Sequence, residues 1–202
     1  MNPRTLLVAT TNSGKLLEMS HYLQGIQLKS LKDFSQSSNI PTVEETGKTF
    51  LENALIKAHA YAAFSGLTTL ADDSGLVVES LGGAPGIYSA RYAGEDTNDA
   101  DNRKKLLFEM KDIPQKKRQA SFVCALALYD PDTQKSECFE GRVEGEILFE
   151  ERGENGFGYD SLFFVPSLGK TTAQLSLEEK NRISHRGQAL QKLKQYFNVN
   201  EF

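Results

Sequence analysis

Residues 69–94 read TLADDSGLVVESLGGAPGIYSARYAG, and the fold turns on how this stretch is divided. The apolar run at 67–71 has strand character, and the Asp72-Asp73-Ser74-Gly75 that follows consists of residue types that favour turns. The sequence therefore predicts a short strand arriving at a tight turn. The paired carboxylates admit a second reading. Acidic groups at a strand end suit a hard divalent cation such as Mg²⁺, which takes oxygen ligands and keeps waters that substrate phosphates can replace. Neighbours on an extended segment point opposite ways, so only one of the two lines a cleft. Asp73 is taken as that residue, with Asp72 supporting it from behind.

Working upstream, a buried-type strand at 4–9 (RTLLVA) runs into a polar turn at 10–15 (TTNSGK) and a helix with Leu16, Met19 and Leu23 on its apolar side. A small turn containing Gly14 ahead of a helix leaves backbone N–H groups free at the positive end of the helix dipole. Lys15 adds a full charge to this anion site, although a generic helix cap would use the same residue types. The turn is not a P-loop, which would put glycine at Ala9 and a hydroxyl at Leu16. A polar stretch at 32–41 separates this unit from VEETGKTFLENALIKAHAYAAFSG. There Thr49 and Glu52 are spaced as a capping box, and Phe50, Ala54, Leu55, Ala58 and Ala62 form the buried stripe of a helix ending near Gly66. Asn53 and Lys57, four apart, share one face of it.

Downstream, Asp96-Thr97-Asn98 are start signals for a surface helix that buries Leu106, Leu107 and Met110. Residues 119–129 and 135–145 read as strands joined by the turn Asp130-Pro131-Asp132-Thr133, a hairpin whose second strand is expected near a sheet edge. Residues 153–160 (GENGFGYD) form a glycine-rich loop leading into a strand at 161–165. Gly156 and Gly158 allow close backbone approach to a flat ligand, and an aromatic ring supplies a stacking face. A helical segment at 177–182 precedes a last helix, N-capped by Ser184, that carries His185 and Arg186 on its first turn.

The string Gly82-Gly83-Ala84-Pro85-Gly86-Ile87-Tyr88-Ser89-Ala90-Arg91-Tyr92, with Thr-x-Asn-x-x-Lys at 10–15 and Glu-Asn-Ala at 52–54 followed by Lys57, closely resembles the inosine triphosphate pyrophosphatase family. The resemblance runs from Leu6 to about Leu190. It implies an elongated mixed β-sheet flanked by helices, with an active-site cleft between two lobes. It also implies a Mg²⁺-dependent homodimer that hydrolyses non-standard purine nucleoside triphosphates (ITP, dITP, XTP) to the monophosphate and pyrophosphate. Site residues follow from it. Glu44 and Asp73 hold the metal, and Asp73 activates water. Thr10, Thr11, Asn12, Ser13, Gly14, Lys15, Asn53 and Lys57 meet the triphosphate, with Ser74 on phosphate or sugar. Phe157, Gly158, Tyr159, Asp160, Lys180, His185 and Arg186 meet the purine.

The 202-residue length fits one domain, 1–202, with two lobes, and the interleaving of strands and helices fits an α/β class. A net charge of -4 argues against a nucleic-acid polymer as partner, while a small phosphorylated ligand needs only a local gathering of Lys and Arg. No membrane-length apolar run or signal peptide is visible, so the cytosol is expected. The cysteines, Cys124 and Cys138, have no zinc spacing and are read as reduced packing residues. A sensor that binds purine triphosphates without cleaving them, or a phosphatase that removes the terminal phosphate, would share the anion turn. The sensor would have no use for a Glu44–Asp73 metal pair.

Overall fold

The structure is a computed structural model and describes residues 5–34 and 40–199, so Arg4 of the first predicted strand and 35–39 of the polar stretch lie outside the described residues. Among the described residues seven strands form a mixed sheet in the order β2-β1-β3-β4-β5-β6-β7. Their spans are β1 Thr5–Ala9, β2 Gln27–Ser30, β3 Thr68–Val78, β4 Gln119–Asp130, β5 Lys135–Ile147, β6 Phe163–Val165 and β7 Lys170–Thr171. The α-helices are α1 Ser13–Tyr22, α2 Phe50–Ser65, α3 Asp99–Glu109, α4 Leu177–Ile183 and α5 His185–Val199. No helix of the described residues is long and apolar enough to cross a membrane.

The chain divides into two compact units, the first from Met1–Asp73, Cys124–Gly141 and Gln188–Phe202, the second from Ser74–Val123 and Arg142–Gly187. In the first unit β1 is paired in parallel with β2 and β3, with Leu6 opposite Thr68 and Ala9 opposite Ala71. A parallel strand with neighbours on both edges is buried on both faces, which accounts for the unbroken apolar run at Leu6, Leu7, Val8 and Ala9. Its odd and even residues meet different helices. Leu6, Val8, Leu70, Cys124 and Leu126 pack with Met19 and Leu23 of the α1 region and with Leu190, Leu193 and Phe197 of α5. Ala9, Ala71, Ala125 and Ala127 pack with Ala54 and Ala58 of α2. Alanine methyl groups fill the buried centre of this contact, flanked by Phe50, Leu55 and Tyr61, so α2 lies close against the sheet.

The second unit has its own core, in which Leu76 and Val78 of β3, Leu106 and Met110 near the end of α3, Phe122 of β4 and Ile147 of β5 pack with Tyr159, Leu162 and Phe163. Arg118 is 1% exposed there and donates to the carbonyls of Met110 (2.7 Å), Ile147 (2.7 Å) and Leu148 (3.0 Å). Its guanidinium closes the end of α3 onto the chain leaving β5 in place of backbone pairing.

Several expectations are corrected. β3 does not stop at 71 to turn but runs straight through Asp72, Asp73, Ser74 and Gly75. Gly75 is required by packing: a β-carbon there would fall 2.4 Å from the Ser89 hydroxyl. Strand β5 lies inside the sheet order, not at its edge, although β6 pairs only with its last two residues, Glu146 and Ile147. The capping box at Thr49 is half formed, since the Thr49 hydroxyl accepts from the Glu52 N–H (3.1 Å) while the Glu52 carboxylate accepts from Lys48. Cys138 is exposed, so only Cys124 is a packing residue, and neither is in a disulfide. The helix end at Gly66, the α3 cap at Asn98 and the Ser184 cap of α5 are as expected.

Candidate active site

The continuous β3 places the two acids on opposite faces of the sheet. Asp72 shares the Leu70 face and Asp73 the Ala71 face, so each meets a different helix. On one side Lys15 of α1 forms an ion pair with Asp72, whose carboxylate also accepts from the Cys124 thiol (3.2 Å). On the other, Lys57 of α2 donates to Asp73 Oδ1 (2.8 Å) and to Glu45 Oε1 (2.8 Å), and Asn53 Nδ2 stands 3.4 Å from Asp73 Oδ2. Asn53 and Lys57 thus share a face, as their spacing predicts, and that face meets Asp73. Because α2 sits close on its alanines, these two side chains reach the strand.

Burial pushes the Asp73 carboxyl up from the ordinary aspartate value, and the Lys57 ammonium pulls it back only in part. Burial works to lower Lys57, but the Asp73 and Glu45 carboxylates outweigh it and hold the lysine raised and charged. A buried carboxylate of raised pKa with one lightly engaged oxygen, Oδ2, is equipped to take a proton from water.

The turn after β1 lies at the carboxyl end of the parallel strands, where open α/β sheets bind ligands. The Asn12 side chain caps α1 by accepting from the Lys15 N–H (3.0 Å), and the Thr10 hydroxyl accepts from the Asn12 N–H (3.2 Å). The Ser13 and Gly14 N–H groups, in the first helical turn, have no acceptor among the described residues. Thr11, Asn12 and Ser13 are exposed, so an anion can reach them.

Glu44 is exposed, whereas its neighbour Glu45 makes the ion pair with Lys57. Sequence reasoning missed Glu45, although alternation along an extended loop means that one of two adjacent acids faces α2. No group of three His, Cys, Asp or Glu side chains able to hold a metal occurs among the described residues.

In the second unit, the 153–160 loop is organised around Asp160. Its carboxylate accepts from Lys180 Nζ (2.6 Å), the Phe157 N–H (2.9 Å) and the Thr172 hydroxyl (2.9 Å). Gly156 has φ +80°, and a β-carbon on it would lie 2.1 Å from that carboxylate. Phe157 presents its ring to two cations, with Lys180 Nζ 4.8 Å and the Arg186 guanidinium carbon 5.7 Å from the centroid. Tyr159 is buried and donates its hydroxyl to the Ser89 carbonyl (2.9 Å), so it anchors the loop, leaving Phe157 as the ring open to stacking. His185 stacks on Phe122 at 4.8 Å, and Arg186 donates to the Ser74 hydroxyl (2.7 Å). Lys180, His185 and Arg186 are 4%, 5% and 1% exposed. Lys and Arg are rarely buried so deeply unless paired, and here Lys180 is paired with Asp160 while Arg186 is bonded to Ser74 and lies over the Phe157 ring. Ser89, central to this unit, explains part of the 82–92 string: its hydroxyl accepts from the Leu76 N–H (2.9 Å) and donates to the Gly86 carbonyl (2.6 Å).

Comparison with known proteins identifies the family of the chain. The sequence model of the Ham1 family matches residues 6–196. A dITP/XTP pyrophosphatase of Mannheimia succiniciproducens is 53% identical over 94% of this chain and 96% of its own length. One from Geobacter sulfurreducens is 52% identical over 95% of each. The solved HAM1 protein of Coxiella burnetii superposes with a TM-score of 0.86 at 44% identity, covering 97% of this chain and 99% of that one. With similarity of this extent in both sequence and backbone, the chain belongs to the Ham1 family.

Proposed function

We propose that the protein hydrolyses non-standard purine nucleoside triphosphates, ITP, dITP and XTP, to the monophosphate and pyrophosphate, clearing deaminated purines from the cytosolic nucleotide pool. The observation that carries the reading is the buried Asp73 carboxylate held between Lys57 and Asn53 of α2. The names of the Mannheimia and Geobacter relatives support the substrate class.

Phosphate esters resist attack because they are heavily charged, so catalysis comes from neutralising that charge and aiming the nucleophile. Asp73 orients a water and takes its proton as the oxygen bonds to the α-phosphorus. The bond from that phosphorus to the bridging oxygen breaks, and pyrophosphate leaves with the electron pair. Lys15, Lys57 and the open N–H groups of Ser13 and Gly14 meet the charge that builds on the leaving group. The nearby donors are all oxygens, and no three-ligand cage exists among the described residues. That suits Mg²⁺, which fills most of its shell with water and phosphate oxygens. Glu44 and Asp73 would hold it, and when bound it supplies further charge neutralisation. Glu45 keeps Lys57 in place.

The second constellation takes the base. Phe157 offers a stacking face, and donors from His185 or Arg186 suit the six-carbonyl of hypoxanthine or xanthine, while adenine presents a donor there and leaves them unpaired. Ser74, bonded to Arg186, meets phosphate or sugar. The resemblance to the family also supports a homodimer, which sedimentation equilibrium tests. The reaction itself is tested by incubating the protein with dITP and Mg²⁺ in ¹⁸O-labelled water. Pyrophosphate release with label in the monophosphate is expected; orthophosphate release would mean a phosphatase, and no release a sensor.

A further inference from the structure

We propose that Asp99 and Arg103 of α3 are positioning residues that set base selectivity by clamping the Phe157 loop at Gly158, a role that rests on the assignment of that loop to the purine. The two side chains are one turn apart on α3 and hold both backbone polar groups of a single glycine. The Gly158 N–H donates to Asp99 Oδ2 (2.7 Å), and Arg103 Nη1 donates to the Gly158 carbonyl (2.8 Å). Gly158 has φ +61°, a left-handed conformation that breaks any regular backbone pairing, so these side chains stand in for a strand partner. Arg103 is fixed in turn, with Nε 2.8 Å from the Glu151 carboxylate at an angle off the hydrogen-bond line. Glu151 also accepts from the Ser161 hydroxyl (2.7 Å).

A cleft of about 670 Å³, lined by Asp99, Arg103, Glu151, Gly156 and Gly158 among others, opens on this side of the loop. Core packing therefore cannot hold the loop from that direction, and the two charged side chains take its place. The residue they fix follows Phe157 directly, while the Phe157 N–H is fixed from its other side by Asp160. The ring is thus set by a bond at its own backbone N–H and by two at the residue that follows it. Guanine shares the six-carbonyl and differs from xanthine at position two by a donor in place of an acceptor, so rejecting it requires loop groups held where they leave that donor unpaired, and a loosened loop lets them adapt to it.

The test compares Asp99→Ala, Arg103→Ala, the conservative Asp99→Asn and Arg103→Lys, and Phe157→Ala as a marker of the base site. Each is assayed for kcat and KM on dITP and dGTP, with thermal melting alongside. Both alanine variants are expected to raise KM for dITP about tenfold, the loss of one charge-assisted hydrogen bond. The dITP-over-dGTP preference should fall by a similar factor and kcat by less. The Asp99→Ala/Arg103→Ala double variant should be no worse than the poorer single one, since both hold one glycine. Asp99→Asn, which keeps an acceptor, should restore most of the loss. A merely structural role would lower the active fraction, and so apparent kcat, with KM unmoved. If an alanine variant melts below the assay temperature, Arg103→Lys carries the test, since it keeps the charge and loses the forked donor. The proposal is overturned if the clamp variants leave KM and preference unchanged while Phe157→Ala raises KM. If Phe157→Ala also changes nothing, the base assignment itself falls and takes the clamp with it.

Discussion

Lys57→Met isolates what the site costs to assemble. The lysine side chain is 12% exposed and bridges Asp73, 9% exposed, and Glu45, 23% exposed, at 2.8 Å each. Methionine keeps the apolar stem and removes the charge, so the cavity contribution is small, and one buried carboxylate, Asp73, and one partly exposed, Glu45, lose their cation. Removing one partner of a buried pair costs about 3–5 kcal/mol. Solvent screens the Glu45 arm, so about 3 kcal/mol is expected at neutral pH. For a chain of this length that is a Tm fall of about 6–12 °C.

The pH dependence fixes the cause. In wild type the Lys57 pKa is raised on folding, so its contribution is complete below the unfolded lysine value and lost only as pH rises through the folded one. In the variant the orphaned carboxylates titrate higher folded than unfolded. The folded state then binds more protons, and stability falls as pH climbs through that window. The Tm deficit should therefore shrink on going from pH 7.5 to pH 5, measured calorimetrically with a chelator present. Adding Asp73→Asn should recover part of the loss, a coupling that independent sites would not show. A Tm within about 1 °C of wild type at pH 7.5, or a deficit equal at both pH values, refutes the bridging account.

Asp73→Asn should bind dITP with near-native affinity by calorimetry yet lose at least about a thousandfold in kcat. In wild type, kcat/KM should fall on acidification through an apparent pKa above the ordinary aspartate value, because burial raises Asp73; an acid limb at the ordinary value would remove it as the base. Arg186→Ala should raise KM more than it lowers kcat, and equal losses would contradict a purely binding role. Arg118→Met, leaving the carbonyls of Met110, Ile147 and Leu148 without their donor, should cost about 2–4 kcal/mol in urea unfolding with little change in KM. The clamp variants Asp99→Ala and Arg103→Ala complete the set.

What could be read from the residues was whatever rests on local periodicity or capping. The α2 stripe, its left-handed end at Gly66, and the Ser184 cap that puts His185 and Arg186 on a first turn all follow from spacing alone. Asp72–Gly75 misled because these residues favour turns, and only tertiary pairing decides that the strand continues through them. The glycine there answers to Ser89, fourteen residues on, a contact that no local pattern encodes. The same holds for Asp99 and Arg103. Their i,i+4 spacing on a helix was visible, but not that their target is Gly158, more than fifty residues away. Glu45 was hidden behind Glu44 because the motif singles out one acid where the backbone presents two.

The pleat of β3 ties these parts together. Two adjacent acids on one strand must serve opposite faces, and each is neutralised by a lysine from the helix covering its face, Lys15 for Asp72 and Lys57 for Asp73. Each lysine is thus already in place at rest, Lys15 on Asp72 and Lys57 between Asp73 and Glu45. Under the proposed assignment a triphosphate, with several charges, competes successfully for both. When Lys57 turns toward phosphate, Asp73 loses the partner that offsets its burial, and its affinity for a proton rises further. Binding of the leaving group and strengthening of the base are then one event, and a diphosphate lacking the outermost phosphoryl group should trigger it only weakly.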